Sequence, residues 1–215
     1  MNNANGILLT PRDGQTFRFD AGTLCLEFLL TGALPQWEQL HAPEDLAAWI
    51  PLSRLGLPDE VVVGEADLAG ARRLRAAIQA LAERAAGAEY PADPEGVLAV
   101  TDEFSADPEG ALAVLNEFAA APPPVPVVTP SFQRGWATPV TGAQFLSAVA
   151  RDAVELFGGP MASRVRVCGG ERCLLIFLDT SRPGARRWCS MDRCGNRYKL
   201  RTRRDRAPRP ADAGH

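Results

Sequence analysis

The stretch CGGERCLLIFLDTSRPGARRWCSMDRCGNR, residues 168–197, decides the fold of the C-terminal part of this chain. Cys168 and Cys173 are separated by four residues. The second pair, Cys189 and Cys194, has the same spacing, and fifteen residues lie between the pairs. Two short cysteine pairs around a hairpin-sized segment are typical of a tetrahedral zinc site, because four soft thiolates close the shell of one Zn2+. We therefore predict one structural zinc ion bound by these four cysteines.

Other roles suit the four cysteines less well. A redox centre would show a C-x-x-C motif in a βαβ context, and an iron–sulfur cluster would need an electron-transfer context. A catalytic zinc needs an open position, and neither His41 nor His215 lies near the cluster in sequence. Disulfides would conflict with the cytoplasmic location that we expect, because no signal peptide or apolar run of about 20 residues is visible. We expect the fifth cysteine, Cys25, to be a buried core thiol.

The residues between and after the cysteine pairs predict the local fold. LLIFLD (174–179) reads as a strand, TSRPG (180–184) as a turn and ARRWCS (185–190) as the returning strand. A helix is predicted after Ser190, with Cys194 near its start. A turn that carries the first cysteine pair, a hairpin and a helix together make the outline of a treble-clef-like finger. So small a module buries little apolar area, so we expect it to depend on the metal for stability.

Charge divides the chain into two parts. Residues 1–163 contain 9 Lys and Arg against 21 Asp and Glu, whereas residues 164–215 contain 14 against 5. Such asymmetry indicates two functional parts, the second with an anionic partner. We predict a helical domain at 1–160, a zinc finger at 164–206 and a disordered tail at 207–215.

The acidic part is predicted to be mainly helical, and with 46% hydrophobic residues the chain can bury a core. Apolar residues recur at helical spacing in four segments, 20–31, 41–50, 67–87 and 141–159. Asp20, Asp67 and Thr141 are predicted as caps, with Gly87 and Gly158 as stops. The predicted fold class is therefore mainly α, a helical N-terminal domain followed by a small finger built from a β-hairpin and a helix.

A duplication interrupts the helical part. DPEGVLAVTDEFSA (93–106) is followed at once by DPEGALAVLNEFAA (107–120), and ten of the fourteen positions are identical. Each copy opens with an Asp cap and a Pro at the first helical position. We interpret the repeat as a local duplication that adds helical turns near the surface. The segment 121–130 is rich in proline and should be extended, and 126–140 is predicted to contain one or two short strands.

The C-terminal helix is predicted to be strongly cationic. Arg193, Arg197, Arg201 and Arg204 recur at helical spacing, and few acidic residues stand near them. Cationic side chains at this density neutralise phosphates, although a solvated charged face would have the same composition. The predicted nucleic-acid contacts are Arg186, Arg187, Arg193, Arg197, Lys199, Arg201, Arg203 and Arg204. Trp188 is expected to pack beside the metal, although it could also stack on a base.

These residues resemble the CGNR zinc-finger family, which takes its name from the tetrapeptide at 194–197. The match runs from Cys168 to about Arg204 and includes FLDTSR (177–182) and RRWCSM (186–191). The acidic part resembles the ABATE domain that accompanies this finger in bacterial proteins. The residues that support it are DAGTLCLEFLLTG (20–32), PEDLAAWI (43–50) and ARDAVELF (150–157). The resemblance implies a stress-linked transcription regulator with a mainly helical N-terminal domain.

Three functions follow as hypotheses. The first is a zinc-dependent DNA-binding regulator in which the arginines contact phosphates and one or two of them read guanine edges. The second is an RNA-binding or protein-interaction module on the same finger. The third is an enzyme, but no motif in the sequence supports it, so we expect no enzymatic activity. In the finger, Asn196 is expected to bond backbone at the helix start, and Gly195 to permit a tight backbone beside the metal.

The N-terminal domain is expected to sense an effector, to form a homodimer, or both. A small-molecule pocket would be lined by residues such as Phe28, Trp37 and Trp49. Glu27 stands in an apolar stretch, and we expect its carboxylate to face outward at the edge of the core. The sequence leaves open the DNA sequence bound, the choice between DNA and RNA, and the sign of regulation.

Overall fold

The structure is a computed structural model, and it describes residues 6–11, 14–32, 37–88, 107–171 and 173–206. The first copy of the duplication, 93–106, and the predicted disordered tail, 207–215, lie outside these described residues. The predictions made for those two segments therefore stay predictions.

The described residues are mainly helical, as predicted. The α-helices are α1 (Leu24–Phe28), α2 (Pro43–Trp49), α3 (Glu65–Ala86), α4 (Pro108–Ala120), α5 (Gly142–Phe157) and α6 (Asn196–Arg206). Short 3-10 turns cover Leu29–Thr31, Ile50–Leu52 and Pro160–Arg164, and a π-helical turn covers Met191–Gly195.

The strands are two or three residues long. They are β1 (Ile7–Leu9), β2 (Phe17–Phe19), β3 (Val61–Val62), β4 (Pro126–Val128), β5 (Arg134–Trp136), β6 (Val140–Thr141), β7 (Val165–Val167) and β8 (Ile176–Leu178). In the described part of the chain they pair as β1–β2, β4–β5 and β7–β8, all antiparallel, and as β3–β6, which is parallel. The β4–β5 hairpin confirms the short strands predicted in 126–140.

Helix starts follow the predicted capping chemistry only in part. Thr141 caps α5, accepting from the N–H of Gln144 at 3.2 Å, and the Gln144 side chain accepts from the N–H of Thr141 at 3.0 Å. The predicted cap Asp20 is wrong, because α1 starts later and Thr23 caps it. The predicted cap Asp67 is also wrong. It lies in the first turn of α3, where its carboxylate accepts from the N–H of Gly64 at 2.9 Å.

The core of the helical part is formed by α3, α4 and α5, with α1 and α2 packed at their side. Phe28, Trp49 and Phe145 meet edge to face, with ring centroids 5.6 to 5.9 Å apart. Phe28 and Trp49 are therefore buried and fill the interior, whereas Trp37 is 41% exposed. Phe28, Trp37 and Trp49 therefore do not line one pocket, contrary to the sequence-based expectation of an effector site.

The second copy of the duplication is an amphipathic helix. It forms α4, with Asp107 as its cap and Pro108 at its first position, as predicted. Its buried residues Ala111, Val114 and Leu115 face the rest of the helical core. The opposite face, which includes Leu112 and Glu117, is exposed. This copy therefore adds helical turns near the surface, as interpreted, and its apolar stripe packs against the core.

Glu27 is buried, which corrects the expectation that it faces outward. The backbone N–H of Arg54 donates to Glu27 Oε1 at 2.7 Å, and Arg54 Nε donates to Oε2 at 3.0 Å. The same guanidinium donates to Asp20 Oδ1 at 2.7 Å. Burial raises the pKa of Glu27, and the contacts with Arg54 oppose that rise. The three residues form a satisfied ionic group that joins Arg54 to α1 and to the segment before it.

The C-terminal hairpin β7–β8 joins the helical core directly. Val165 and Phe177 are fully buried, and the N–H of Leu178 donates to the carbonyl of Ala21 at 2.8 Å. Gly22 has φ +91°, and a Cβ there would lie 2.8 Å from the Cβ of Leu178, so only glycine permits this close approach. The apolar core is therefore continuous across the predicted domain boundary.

Candidate metal centre

The structure brings the four predicted cysteines together. Their Sγ atoms all lie within 4.8 Å of one another, with 3.5 Å between Cys189 and Cys194 and 3.8 Å between Cys173 and Cys189. A tetrahedral shell with zinc–sulfur bonds of about 2.3 Å would place its sulfurs about 3.8 Å apart. A disulfide would need about 2.05 Å, and all the cysteines are free. The four thiols therefore fit one zinc ion, held in a closed structural site.

Backbone hydrogen bonds position the first pair. Cys168 follows β7, and its N–H donates to the carbonyl of Leu175 at 2.9 Å. The N–H of Cys173 donates to the carbonyl of Gly170 at 3.0 Å, which closes the tight turn between the pair. The N–H of Gly169 donates to the carbonyl of Arg187 at 2.9 Å, which ties this turn to the second pair.

The second pair is held by an irregular segment and a helix start. The N–H of Cys189 donates to Cys168 Sγ at 3.2 Å, so a backbone dipole stabilises charge on that sulfur. Ser190 then caps the π-helical turn by accepting from the N–H of Asp192 at 3.2 Å. Cys194 lies in this turn, immediately before α6. Cys194 therefore joins the metal centre to the start of α6.

The electrostatics of the four thiols favour a bound cation. Hydrogen bonds from the Cys173 and Cys189 thiols lower the pKa of Cys168. The bond to Cys168 raises the pKa of Cys173, and burial raises that of Cys194. Without a cation, four clustered thiols cannot all ionise near neutral pH, because each thiolate opposes the next. A divalent ion removes this conflict by holding all four as thiolates.

Two glycines make room for the centre. A Cβ on Gly170 would lie 2.7 Å from Cys194 Sγ and 3.2 Å from the Cβ of Cys173. A Cβ on Gly195 would lie 2.8 Å from the sulfur of Met191, which agrees with the tight backbone predicted there. Sequence reasoning missed Gly170. Its place directly between two ligands was the only signal.

Two family models match the chain. The ABATE model, described as "Putative stress-induced transcription regulator", matches residues 22–160, more than half of the chain. The CGNR zinc finger model matches residues 164–207.

The chain belongs to the ABATE family.

Its C-terminal part is a CGNR zinc finger, which agrees with the four clustered thiols. No curated protein matches the chain. Within the described residues, no helix is both long and apolar enough to span a membrane.

The hairpin of this CGNR finger differs from the predicted one. Residues 176–178 pair with 165–167, ahead of the first cysteine, and not with 185–190. The reason is Asp179, whose carboxylate accepts from Ser181 N at 2.9 Å, from Ser181 Oγ and from Arg186 N at 2.9 Å. Burial acts to raise the pKa of Asp179, but these hydrogen bonds outweigh it and the pKa is lowered. The carboxylate therefore shapes 179–186 as a loop.

The side chain of Arg186 points toward the interior of the protein. Its guanidinium donates to the carbonyls of Asp20 at 3.1 Å, Trp188 at 3.0 Å and Cys189 at 2.6 Å. The same group lies 4.0 Å from the ring centroid of Phe177. Each guanidinium nitrogen donates to a carbonyl within the protein, so Arg186 has a structural role here. Its predicted nucleic-acid contact stays a prediction.

The other predicted contacts lie on or near α6. Arg197, Lys199, Arg203 and Arg204 are exposed on the helix. Arg201 is also exposed, but it pairs with Glu171, and Arg193 lies 4.9 Å from the ring centroid of Phe17.

Asn196 and Trp188 take structural positions beside this helix. The Asn196 amide donates to the carbonyl of Asp192 at 3.4 Å, which agrees with the expected backbone bond at the helix start. Trp188 is half-buried and packs against the core beside the metal centre.

Proposed function

We propose that this ABATE protein is a zinc-dependent, DNA-binding transcription regulator whose CGNR finger contacts duplex DNA through α6 and the residues beside it. The observation that carries the proposal is the exposure of α6. Every residue from Asn196 to Asp205 is exposed except Thr202, which is half-buried. Five of these residues are Arg or Lys, and the one acidic residue among them is Asp205. A helix that is cationic and open along its length suits an anionic groove.

Duplex DNA is favoured over duplex RNA by the shape of this element. The major groove of B-DNA is about 12 Å wide and admits an α-helix with its side chains. The major groove of A-form RNA is deep and narrow, and side chains cannot read it. An exposed three-turn helix is therefore better matched to DNA. Stronger binding to duplex RNA than to duplex DNA would favour the RNA-binding alternative.

Zinc would act here by organising the finger. With four thiolate ligands, the ion has no open position for substrate or water. Cys189 and Cys194 would then join the loop after β8 to the turn that begins α6, so metal binding would determine where the helix points. We propose a non-enzymatic role, in which the acidic helical domain senses an effector or oligomerises. Its excess of Asp and Glu over Lys and Arg makes it a poor surface for DNA.

The test is the salt dependence of binding to duplex DNA. The logarithm of the binding constant should fall linearly with the logarithm of salt concentration, with a slope of about −0.9 for each phosphate neutralised. Arg203→Ala should make the slope less steep by about 0.9, since it removes one such contact. Arg84→Ala is the matched control, because Arg84 is also exposed but lies on α3.

Zinc-stripped protein should bind duplex DNA more weakly than the zinc-loaded protein. No binding at low salt, or binding that does not depend on salt, would overturn the proposal. Stronger binding to an RNA duplex or hairpin than to DNA, measured in parallel, would establish the RNA-binding alternative instead.

A further inference from the structure

We propose that Arg187 is a residue that determines sequence specificity, reading a guanine in the major groove from a platform formed by Trp188 and Tyr198. This inference rests on the proposed function, because it names a base that the finger would recognise. Two neighbouring arginines, Arg186 and Arg187, have opposite environments in the structure.

The platform is an aromatic pair that links the second cysteine segment to α6. The ring centroids of Trp188 and Tyr198 lie 4.9 Å apart, with 36° between the ring planes. The edge of the Trp188 ring lies against Gly169, where an added Cβ would be 3.3 Å from it. Trp188 is therefore wedged beside the metal centre, and Tyr198 in the first turn of α6 packs on it.

Arg187 lies over this pair. Its guanidinium carbon is 5.0 Å from the ring centroid of Trp188 and 5.5 Å from that of Tyr198. Both distances are within the range of a cation–π contact, which holds the group through its face. Within the described part of the chain, no hydrogen bond or ion pair engages this guanidinium, and the residue is exposed. Its N–H groups are thus available to a ligand, unlike those of Arg186.

An arginine held in this way is prepared for a base more than for a phosphate. The planar fork of arginine matches the O6 and N7 acceptors of guanine, the commonest specific contact in protein–DNA complexes. A side chain that two rings already hold loses less rotamer freedom when it binds. Among the residues that the structure describes, no ring supports Arg203 or Arg204 in the later turns, and these arginines suit the phosphate backbone.

The position of Arg187 agrees with this division. Its contact with Tyr198 places it beside the first turn of α6. In helices that enter the major groove, residues near the N-terminal end contact base edges. Arg187 and the start of α6 would therefore face the bases together.

The experiment begins with selection from a pool of DNA duplexes with a randomised central segment, using the zinc-loaded full chain. The wild-type protein should select a guanine at one position or more. Replacing that guanine by 7-deazaguanine, which lacks the N7 acceptor, should weaken wild-type binding roughly tenfold or more. Arg187→Lys keeps the charge but loses the fork, so it should bind both duplexes almost equally with an unchanged salt slope.

Two matched pairs complete the design. Arg203→Ala should lower the salt slope and keep the preference for guanine. Tyr198→Leu should weaken the preference, because it removes half of the platform, whereas Tyr198→Phe should retain it. Zinc content and circular dichroism establish that each variant is folded. If Tyr198→Leu does not fold, the comparison of Arg187→Lys with Arg203→Ala tests the inference by itself.

The results separate the two proposals. Base preferences unchanged in Arg187→Lys would overturn this inference and leave the proposed function intact. The same holds if Arg187→Ala reduces the salt slope by about 0.9 without changing the preferences, because Arg187 would then contact a phosphate. Wild-type protein that binds no duplex at low salt would overturn the proposed function itself.

Discussion

Gly170 carries a requirement that no other amino acid meets. The backbone between Cys168 and Cys173 passes so close to Cys194 that even a methyl group would lie 2.7 Å from its sulfur. A contact that short forces either the ligand or the turn to move. The position of a metal ligand is thus set by a residue that does not touch the metal.

Gly170→Ala is expected to lower zinc affinity by roughly tenfold or more, the scale of effects seen when residues around a ligand set are disturbed. The measurement is competition for zinc with a chromophoric chelator. Gly169→Ala is the control, because its Cβ would meet a ring edge at 3.3 Å instead of a ligand. Equal zinc affinity in the two variants would contradict the steric explanation.

Arg186 and Arg187 are neighbours with different expected roles, which stability measurements distinguish. Arg186→Ala should lower the free energy of unfolding by about 2 to 3 kcal/mol, since three carbonyls lose a charged donor. Arg187→Ala should change the free energy of unfolding by less than about 0.5 kcal/mol, as surface substitutions usually do. Urea unfolding of the zinc-loaded proteins provides both values, and equal losses would show that the two side chains were assigned wrongly.

At the scale of elements, the loop 179–186 connects the hairpin to the second half of the metal centre. Asp179 organises it from the end of β8, and the guanidinium of Arg164 donates to the carbonyls of Asp179 at 3.2 Å and Ser181 at 3.1 Å. The loop therefore bends back toward β7, and Cys189 after it lies next to Cys168. A β-strand over 185–190 is not needed for this approach.

Asp179→Asn tests the role of this carboxylate. The side-chain amide would direct its NH2 group at one or more of the groups that now donate to the carboxylate, and two facing donors cannot bond. The free energy of unfolding should therefore fall by about 1 to 3 kcal/mol. Asp59→Asn removes the same charge from an exposed position and should be nearly neutral. Urea unfolding with zinc content as a second readout makes the comparison. A neutral Asp179→Asn would show that Pro183 and Gly184 alone shape the loop.

For the whole molecule, the important feature is that the finger and the ABATE domain share one apolar core. The hairpin β7–β8 contributes Val165, Ile176, Phe177 and Leu178 to it, and Ala21 pairs with Leu178 through the backbone. The ring of Phe17 in β2 lies against Arg193, with the guanidinium carbon 4.9 Å from the ring centroid. The finger thus lies against the N-terminal segment and is not joined to it by a linker alone.

The shared core predicts that zinc release and loss of helical structure occur together. In urea, the transition followed by a zinc indicator should coincide with the one followed by far-ultraviolet circular dichroism. Leu178→Ala, at the junction, should lower both midpoints together, with a loss of about 2 to 5 kcal/mol. Zinc release at clearly lower urea than helix loss would show two independent units.

Local chemistry made much of this protein predictable. The spacing of the cysteines indicated the metal site, and the pattern of Thr141 and the apolar stripe predicted α5 with its cap. These features depend on residues that are near in sequence. Glu27 was wrongly expected to face outward, because its partner Arg54 is distant in sequence and only the fold brings them together.

The sequence by itself determined the ligand set of the metal centre, the helical class of the N-terminal part and the cationic character of α6. Each follows from side-chain chemistry or from a short periodicity. Only the tertiary structure decided that 165–167 is the partner of 176–178, that the finger shares the core of the ABATE domain, and that Arg186 points inward while Arg187 remains available. Those outcomes depend on which surfaces pack against one another, and no local pattern contains that information.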